Sequence, residues 1–379
     1  MLELPPLSLY IHIPWCVRKC PYCDFNSHES PGAIPELDYV AALLKDFHQE
    51  LPQIQNRTLH SVFIGGGTPS LLSGKSIAAL LDGIEKSVGF SDHIEITLEA
   101  NPGTAEAKKF AEFHSAGINR LSLGIQSFDD RHLLALGRIH NAVEARLAID
   151  FARAAGFDNL NLDIMYGLPR QSPDQAVDDL QTACELEPSH LSWYQLTLEP
   201  NTLFFRRPPA LPAEDSLEQI RIHGMAALAN KNFQQYEVSA FSRPSRLSAH
   251  NVNYWQFGDY LGIGTGAHGK QTDPGNGQIR RTRKIRQPAH YLQSDVSYMA
   301  EAVAVDPDQR PLEFLMNTLR LKRGFTTQLF ESRTGLPFST IEKKVEYLIS
   351  KNFLVKNGDN IVASDRGYLL LNSLLEEFL

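Results

Sequence analysis

Cysteine, tryptophan and methionine are all scarce in this 379-residue chain, with four, three and five residues respectively. So few cysteines exclude a disulfide-dense secreted scaffold. No stretch approaches the roughly 18 consecutive apolar residues that a membrane-spanning helix needs, so none is expected. The first ten residues, Met1 to Tyr10, lack both a basic residue ahead of an apolar run and a small-residue cleavage site. A cytoplasmic protein without an export signal is therefore expected. Positive charge is not in excess either, because 36 basic side chains stand against 44 acidic ones. That balance excludes a surface that attracts nucleic acid or anionic lipid as a whole, and leaves room only for a local basic patch. Internal repeats and low-complexity tracts are missing, and 42% apolar with 21% charged residues is the balance of an ordinary folded chain.

What is present is an alternation of short apolar runs with longer amphipathic stretches, the pattern of βα units around a parallel sheet. Strands are expected at Leu7–Ile13, Ser61–Ile64, Ile94–Leu98, Arg120–Ile125, Leu160–Ile164 and Leu191–Leu198. Helices are expected between them at Glu36–Leu51, Gly74–Val88, Glu106–Ala116, Ala142–Ala155 and Pro173–Leu186. Polar groups follow the carboxyl ends of five strands: Cys16, the run Gly65-Gly66-Gly67-Thr68-Pro69, Glu99-Ala100-Asn101-Pro102, Gln126-Ser127, and Asp163. In a parallel barrel that end carries the site, so the five groups should ring one mouth. The fold class expected is α/β, a partial (β/α)6 TIM-like barrel, with a doubly wound open sheet as the alternative.

Beyond residue 200 the pattern changes. A proline-rich stretch, Arg206 to Pro212, precedes a helix at Asp215–Asn230, and an aromatic, loop-like region runs through Gly269. Asp273 to Gln287 has no periodic apolar face and contains the basic run Arg280–Arg286, so it is expected to be a linker. From Pro311 the order is helix, helix, helix, hairpin, helix (Leu312–Leu321, Thr326–Ser332, Ser339–Lys351, Phe353–Ala363, Arg366–Leu379), a C-terminal winged-helix-like α+β domain. The division expected is 1–235 for the barrel, 236–300 for a bridging region and 301–379 for the C-terminal domain. The third of these helices mixes both charge signs and offers no arginine to base edges, so nucleic acid is not an expected partner.

Three of the four cysteines, Cys16, Cys20 and Cys23, fall in a C-x3-C-x2-C loop, and Cys184 is remote. Three thiolates on one loop can hold three irons of a [4Fe-4S] cube and leave the fourth iron open. A zinc site is the alternative, but His12 or His28 would have to supply a fourth ligand from an awkward offset.

The cysteine loop followed by Gly65-Gly66-Gly67-Thr68-Pro69 resembles the radical S-adenosylmethionine (SAM) superfamily, in which the open iron chelates the amino and carboxylate groups of S-adenosyl-L-methionine. The runs Tyr10-Ile11-His12-Ile13-Pro14-Trp15-Cys16, Glu99-Ala100-Asn101-Pro102, Gly124-Ile125-Gln126-Ser127-Phe128 and Gly137-Arg138-Ile139-His140 narrow the likeness to oxygen-independent coproporphyrinogen III oxidase and its relatives, the HemW family of haem chaperones. The resemblance implies SAM contacts by Tyr10, Gly66, Gly67, Thr68, Glu99, Gln126, Arg138 and Asp163, with Tyr22 beside the cluster. Asp163 suits ribose hydroxyls, and Arg138 suits the SAM carboxylate.

Two departures favour the chaperone family over the oxidase. The oxidase loop continues to a further cysteine where this chain has Phe25, and the oxidase carries a longer arm before its loop than the 15 residues here. The segment His250-Asn251-Val252-Asn253-Tyr254-Trp255 matches the H-N-x-x-Y-W motif that the family associates with haem. An imidazole can ligate haem iron while Tyr254 and Trp255 cover the macrocycle. His268, in a glycine-rich surround, is a second candidate, and the basic run is open to haem propionates, to an acidic partner surface or to solvent. The resemblance thus implies a protein that binds haem and passes it to an acceptor such as a respiratory enzyme, with an electron donor for the cluster and peripheral membrane association only through a partner. Radical decarboxylation of coproporphyrinogen III is the alternative function, and no such oxidase activity is expected without the fourth loop cysteine. Whether SAM is cleaved is left open.

Overall fold

The computed structural model describes residues 1–30, 32–103 and 107–379. Six strands run parallel in sequence order: β1 (Leu7–Ile13), β2 (Leu59–Gly66), β3 (Phe90–Ala100), β4 (Arg120–Gln126), β5 (Leu160–Tyr166) and β6 (His190–Gln195). Most of their residues are buried because helices cover the outer face and side chains fill the inner one; in β1 only Tyr10 is not buried. The crossover helices are α1 (Glu36–Glu50), α2 (Gly74–Val88), α3 (Phe110–Ser115), α4 (Ala142–Ala154) and α5 (Pro173–Glu185). Their starts are written in the sequence: Asn141 with Glu144, and Ser172 with Gln175, form capping boxes at α4 and α5. The third crossover helix is shorter than expected, and Glu106, its expected first residue, lies outside the described residues.

The sheet does not stop at six strands. After α6 (Glu214–Asn230) come strands β7 (Gln234–Glu237) and β8 (Ala240–Ser242); β8 pairs antiparallel with β6, and β7 pairs antiparallel with β8 at the edge. Helix α7 (Ala249–Trp255) then crosses back to β9 (Asp259–Gly264), which pairs parallel with β1, Tyr10 facing Gly262 in register. Strands β10 (His268–Asp273), β11 (Gln278–Lys284) and β12 (Met299–Ala304) follow antiparallel. Among the described residues the order is β12-β11-β10-β9-β1-β2-β3-β4-β5-β6-β8-β7, twelve strands whose two edges do not pair, so the barrel is partial.

The expected linker is therefore a strand from Gln278 to Lys284. Its polar residues hid it: Lys284 is buried with its Nζ 2.6 Å from Asp46 and also bonded to Glu50, both on α1. Tyr291 and the backbone N–H of Gly264 complete the Asp46 shell, at 2.7 and 3.1 Å. A second buried cluster pins β9, with Asp259 held by Arg57 at 2.9 Å and Lys270 at 3.0 Å. The region expected to be loop-like through Gly269 likewise contains α7 and β9.

The C-terminal part packs α8 (Arg310–Thr318), α9 (Thr327–Thr334) and α10 (Glu342–Ser350) on a three-stranded sheet of β13 (Phe325–Thr326), β14 (Leu354–Asn357) and β15 (Asn360–Ala363). Phe314, Phe330, Phe338 and Leu348 form its core, and Phe257 and Ile279 from the barrel side join that core. The last expected helix is two short ones, α11 (Asp365–Leu369) and α12 (Leu371–Glu376), broken at Leu370 where ψ turns to 38°. Among the described residues no helix is long and apolar enough to cross a membrane.

Candidate functional site

The carboxyl ends of β1 to β6 open into a cavity of about 510 Å³. Cys16, Cys20 and Cys23 line it together with Tyr22, Gly66, Gly67, Thr68, Glu99, Gln126, Arg138 and Asp163. The loop is held in place by backbone bonds: Cys23 N–H donates to the Cys20 carbonyl at 3.2 Å, Ser30 to Cys16 at 2.9 Å, and Thr68 to Trp15 at 2.7 Å. Gly67 is required by that last approach, since a Cβ there would lie 2.5 Å from the Trp15 carbonyl oxygen. Gly66, at φ +111°, sits so close under His12 that a Cβ would be 2.6 Å from the imidazole. The glycines thus serve close packing against the cysteine loop before any ligand is considered.

Buried polar residues fix the rest of the wall. Arg138 donates to Cys20 Sγ at 3.6 Å and to Asn101 Oδ1 and the Gly124 carbonyl, both at 2.7 Å. Asp163 accepts from Asn161 at 2.8 Å and from Ser122 at 3.1 Å. Gln126 ends β4 at φ +70°, a left-handed conformation rare for its type, and accepts from the Tyr194 hydroxyl at 2.8 Å. Burial, with the charge of Asp163 nearby, pushes the Glu99 carboxyl up to about 8, although the Gly66 N–H donates to it at 3.0 Å. Burial raises the thiols of Cys16 and Cys23 as well.

A second cavity of about 600 Å³ adjoins the first, and Asp24, Phe25, Gly66 and Glu99 line both. Tyr10, expected beside SAM, stands in this second cavity, its hydroxyl 2.9 Å from His12 Nδ1. His250, Tyr254, Trp255 and His268 all line it too. Glu95 positions the first three by accepting from the backbone N–H groups of Ala249 and His250, each at 3.1 Å, at the start of α7. His250 Nδ1 lies 3.2 Å from Ser61 Oγ, which leaves Nε2 available. Burial, with Arg120 nearby, drops its pKa to about 3, so the imidazole is neutral. The His268 side chain is exposed, and its pKa is lowered by burial of part of the ring and by Arg283 and Arg286. The glycines around His268 also meet protein atoms, and Gly266 lines the second cavity. Gly262 lies against the His268 carbonyl, and Gly266 lies against Asn26.

Sequence reasoning missed Ser122, Ser192 and Tyr194 in the first cavity, and Phe63, Glu237 and Tyr260 in the second. Ser192 and Tyr194 alternate with buried Leu191 and Trp193 on β6, a period of two that was readable as one face turned to a site. Phe63 and Tyr260 carry no such signal, because inward aromatic residues are ordinary core.

Comparison with known proteins matches residues 10–183 to the Radical SAM superfamily and residues 305–370 to the HemN C-terminal domain. The curated protein named "heme chaperone HemW" of Haemophilus influenzae is 52% identical over the whole of this chain and 99% of its own. That of Escherichia coli K12 is 48% identical over the full length of both. The chain belongs to the HemW family. Mouse "radical S-adenosyl methionine domain-containing protein 1, mitochondrial" is 36% identical over 97% of this chain and 86% of its own. Among solved structures, Escherichia coli coproporphyrinogen III oxidase (HemN) has a TM-score of 0.83 at 23% identity, over 99% of this chain and 90% of that one, a likeness of fold.

Membership in this radical SAM family implies a [4Fe-4S] cluster and SAM, and the first cavity of this HemW family member fits both. Its three thiols line one space, and burial disfavours the thiolates of Cys16 and Cys23, which a cationic partner such as iron would favour. The Nε of Arg138 is buried without a hydrogen-bond partner among the described residues, a donor kept for a ligand. Among the described residues no three His, Cys, Asp or Glu side chains gather as tightly as a single metal ion requires. A cube asks for a different arrangement, with each thiolate on its own iron.

Proposed function

We propose that this chain is a cytoplasmic haem chaperone that holds haem in the second cavity, beside a SAM-chelating [4Fe-4S] cluster in the first, and passes the haem to an acceptor protein. The observation that carries this reading is the shared wall: every cluster cysteine lines one cavity, every haem candidate lines the other, and four residues belong to both. When bound, the cluster supplies an electron to SAM, which makes an electron donor a required partner. In the first cavity, Cys16, Cys20 and Cys23 would hold the cluster. Arg138 would face the SAM carboxylate, Asp163 the ribose, and Glu99 the cationic end, with Gly66, Gly67 and Thr68 as the strand-end cradle, Gln126 on the adenosyl side and Tyr22 beside the cluster. Tyr10 would act through its bond to His12.

In the second cavity a neutral imidazole is the form that binds iron. His250 offers Nε2 from a fixed ring, and His268 offers an exposed ring without a hydrogen-bonded partner among the described residues. Tyr254 and Trp255, packed edge to face at 4.8 Å, present aromatic surface to the macrocycle. The expected acceptor is a respiratory enzyme, reached at the membrane through that partner. A reducing compartment suits both the exposed cluster and the free thiols.

The test is a haem titration of the anaerobically reconstituted protein, following the Soret band for wild type, His250→Ala and His268→Ala. One haem per chain, weakened in at least one variant, is the expected result. Absence of saturable binding would overturn the proposal, as would decarboxylated product from coproporphyrinogen III under reducing conditions as the main activity.

A further inference from the structure

The second cavity has an electropositive end that its histidines do not explain. Arg283, near the end of β11, and Arg286, just beyond it, both line the cavity. Other basic residues of the run are committed elsewhere: Arg281 to Glu313 at 2.8 Å, and Lys284 to Asp46 and Glu50. Arg283 and Arg286 keep donors in hand. The Nε of Arg283 is buried with no hydrogen-bond partner among the described residues, and its Nη2 meets Glu301 of β12 at 3.0 Å in a pair whose side chains are 38% and 50% exposed. Such a solvated pair is worth little and exchanges readily. The Arg286 side chain is exposed and has no partner among the described residues, while its backbone carbonyl is fixed by Asn26 Nδ2 at 3.0 Å.

Two of the three carboxylates that line the cavity are engaged elsewhere, Glu237 by Arg320 at 3.2 Å and Glu99 by the Gly66 N–H, and the third, Asp24, stands on the wall shared with the first cavity. The remaining walls are aromatic, from Phe63, Tyr254, Trp255 and Tyr260. An apolar, aromatic space with two guanidinium groups at one end selects a flat apolar ligand that carries carboxylates along one edge.

We propose that Arg283 and Arg286 form a carboxylate clamp that takes the two propionates of haem and sets which edge of the porphyrin faces β11. The proposal rests on the second cavity being the haem site, and adds what grips the ligand other than iron. On binding, a propionate takes the Arg283 donors now shared with Glu301, so two charge-assisted contacts form and one solvated pair is given up. Iron coordination and carboxylate recognition are then separate contributions from different residues.

Haem and haem dimethyl ester separate them, because the ester keeps the iron and the macrocycle but loses both anions. Soret titrations with wild type, Arg283→Gln, Arg286→Gln and the double variant are expected to show about tenfold weaker haem binding per arginine and about a hundredfold in the double variant. Ester binding is expected to stay within about threefold across the set. Because a glutamine could disturb the strand end, Arg283→Lys and Arg286→Lys are titrated alongside, and these are expected to retain a preference for acid over ester. Equal losses for acid and ester, no loss for either, or folded lysine variants without preference would each overturn the clamp. Wild-type protein that binds no haem sinks the underlying reading instead. Binding that responds to the histidine variants but not to the arginine variants sinks the clamp alone.

Discussion

Glu99 is a carboxyl group that burial and the neighbouring Asp163 hold near a pKa of 8, so at neutral pH it is mostly protonated. A bound cation on that wall would favour the ionised form and release a proton. SAM carries cationic sulfonium and ammonium groups, and SAM affinity is therefore expected to fall as pH drops below 8 and to level off above it. The slope is at most about tenfold per pH unit. Calorimetry at several pH values in two buffers of different ionisation enthalpy measures both the affinity and the proton released. Glu99→Gln should flatten the profile, and a flat wild-type profile would exclude Glu99 from the SAM site. Gly67 shows the other side of residue-scale reading. Its place in a glycine run was legible, but the reason, a 2.5 Å approach to the carbonyl just before Cys16, was not. Gly67→Ala must displace backbone, so it is expected to lower iron and sulfide per chain to about the level of a Cys16→Ala variant. Full cluster content in Gly67→Ala would show that the loop tolerates the shift.

At the scale of elements, the strands easiest to read were those buried on both faces, where an apolar run has no competing interpretation. β11 escaped because it meets its neighbours through charge. Its buried positions are Ile279 on one face, in the C-terminal core, and Thr282 and Lys284 on the other, and the lysine is matched by Asp46 and Glu50 from a helix more than two hundred residues earlier. No local pattern reports a partner that far away. Removing one member leaves buried charge unpaired, so Lys284→Ala is expected to destabilise the fold by about 3 kcal/mol. Because β11 also carries Arg283, the same variant should loosen the second cavity and weaken haem binding, whereas the first cavity, built on β1 to β6, should keep its cluster. Thermal unfolding and iron content measured on one preparation check both statements. Loss of the cluster along with the stability would mean that the two halves do not separate in this way. α7 was equally hidden, since a seven-residue helix has little periodicity; the Glu95 carboxylate holds its start, and Val252 and Trp255 pack against Tyr236, Ala240 and Leu321.

For the whole molecule, the partial barrel and the mouth at its strand ends were legible because each βα unit repeats one local rule. The second cavity was not. Its walls come from β1, the cysteine loop, β2, β3, β7, α7 and the β9 to β11 strands, and only the fold brings these together. Asn26 joins them: its carbonyl accepts from His12 Nε2 at 2.9 Å, and its Nδ2 donates to the carbonyls of Thr265 at 2.9 Å and Arg286 at 3.0 Å. It lies three residues after Cys23, so an ordered cluster loop and an ordered haem cavity share one set of hydrogen bonds. SAM that stiffens the Gly66 and Glu99 wall then prepays part of the ordering that haem requires. Haem should bind about fivefold more tightly with SAM present, and by linkage SAM should bind more tightly with haem present by the same factor. Asn26→Ala leaves the cysteines and both histidines in place but cuts the bonds to Thr265 and Arg286, so the two ligands should become nearly independent. Soret titrations with and without SAM, paired with SAM titrations with and without haem, give both factors. Unequal factors would mean that one of the titrations had not reached equilibrium, and a factor of one in wild type would mean that the shared wall divides the cavities without coupling them.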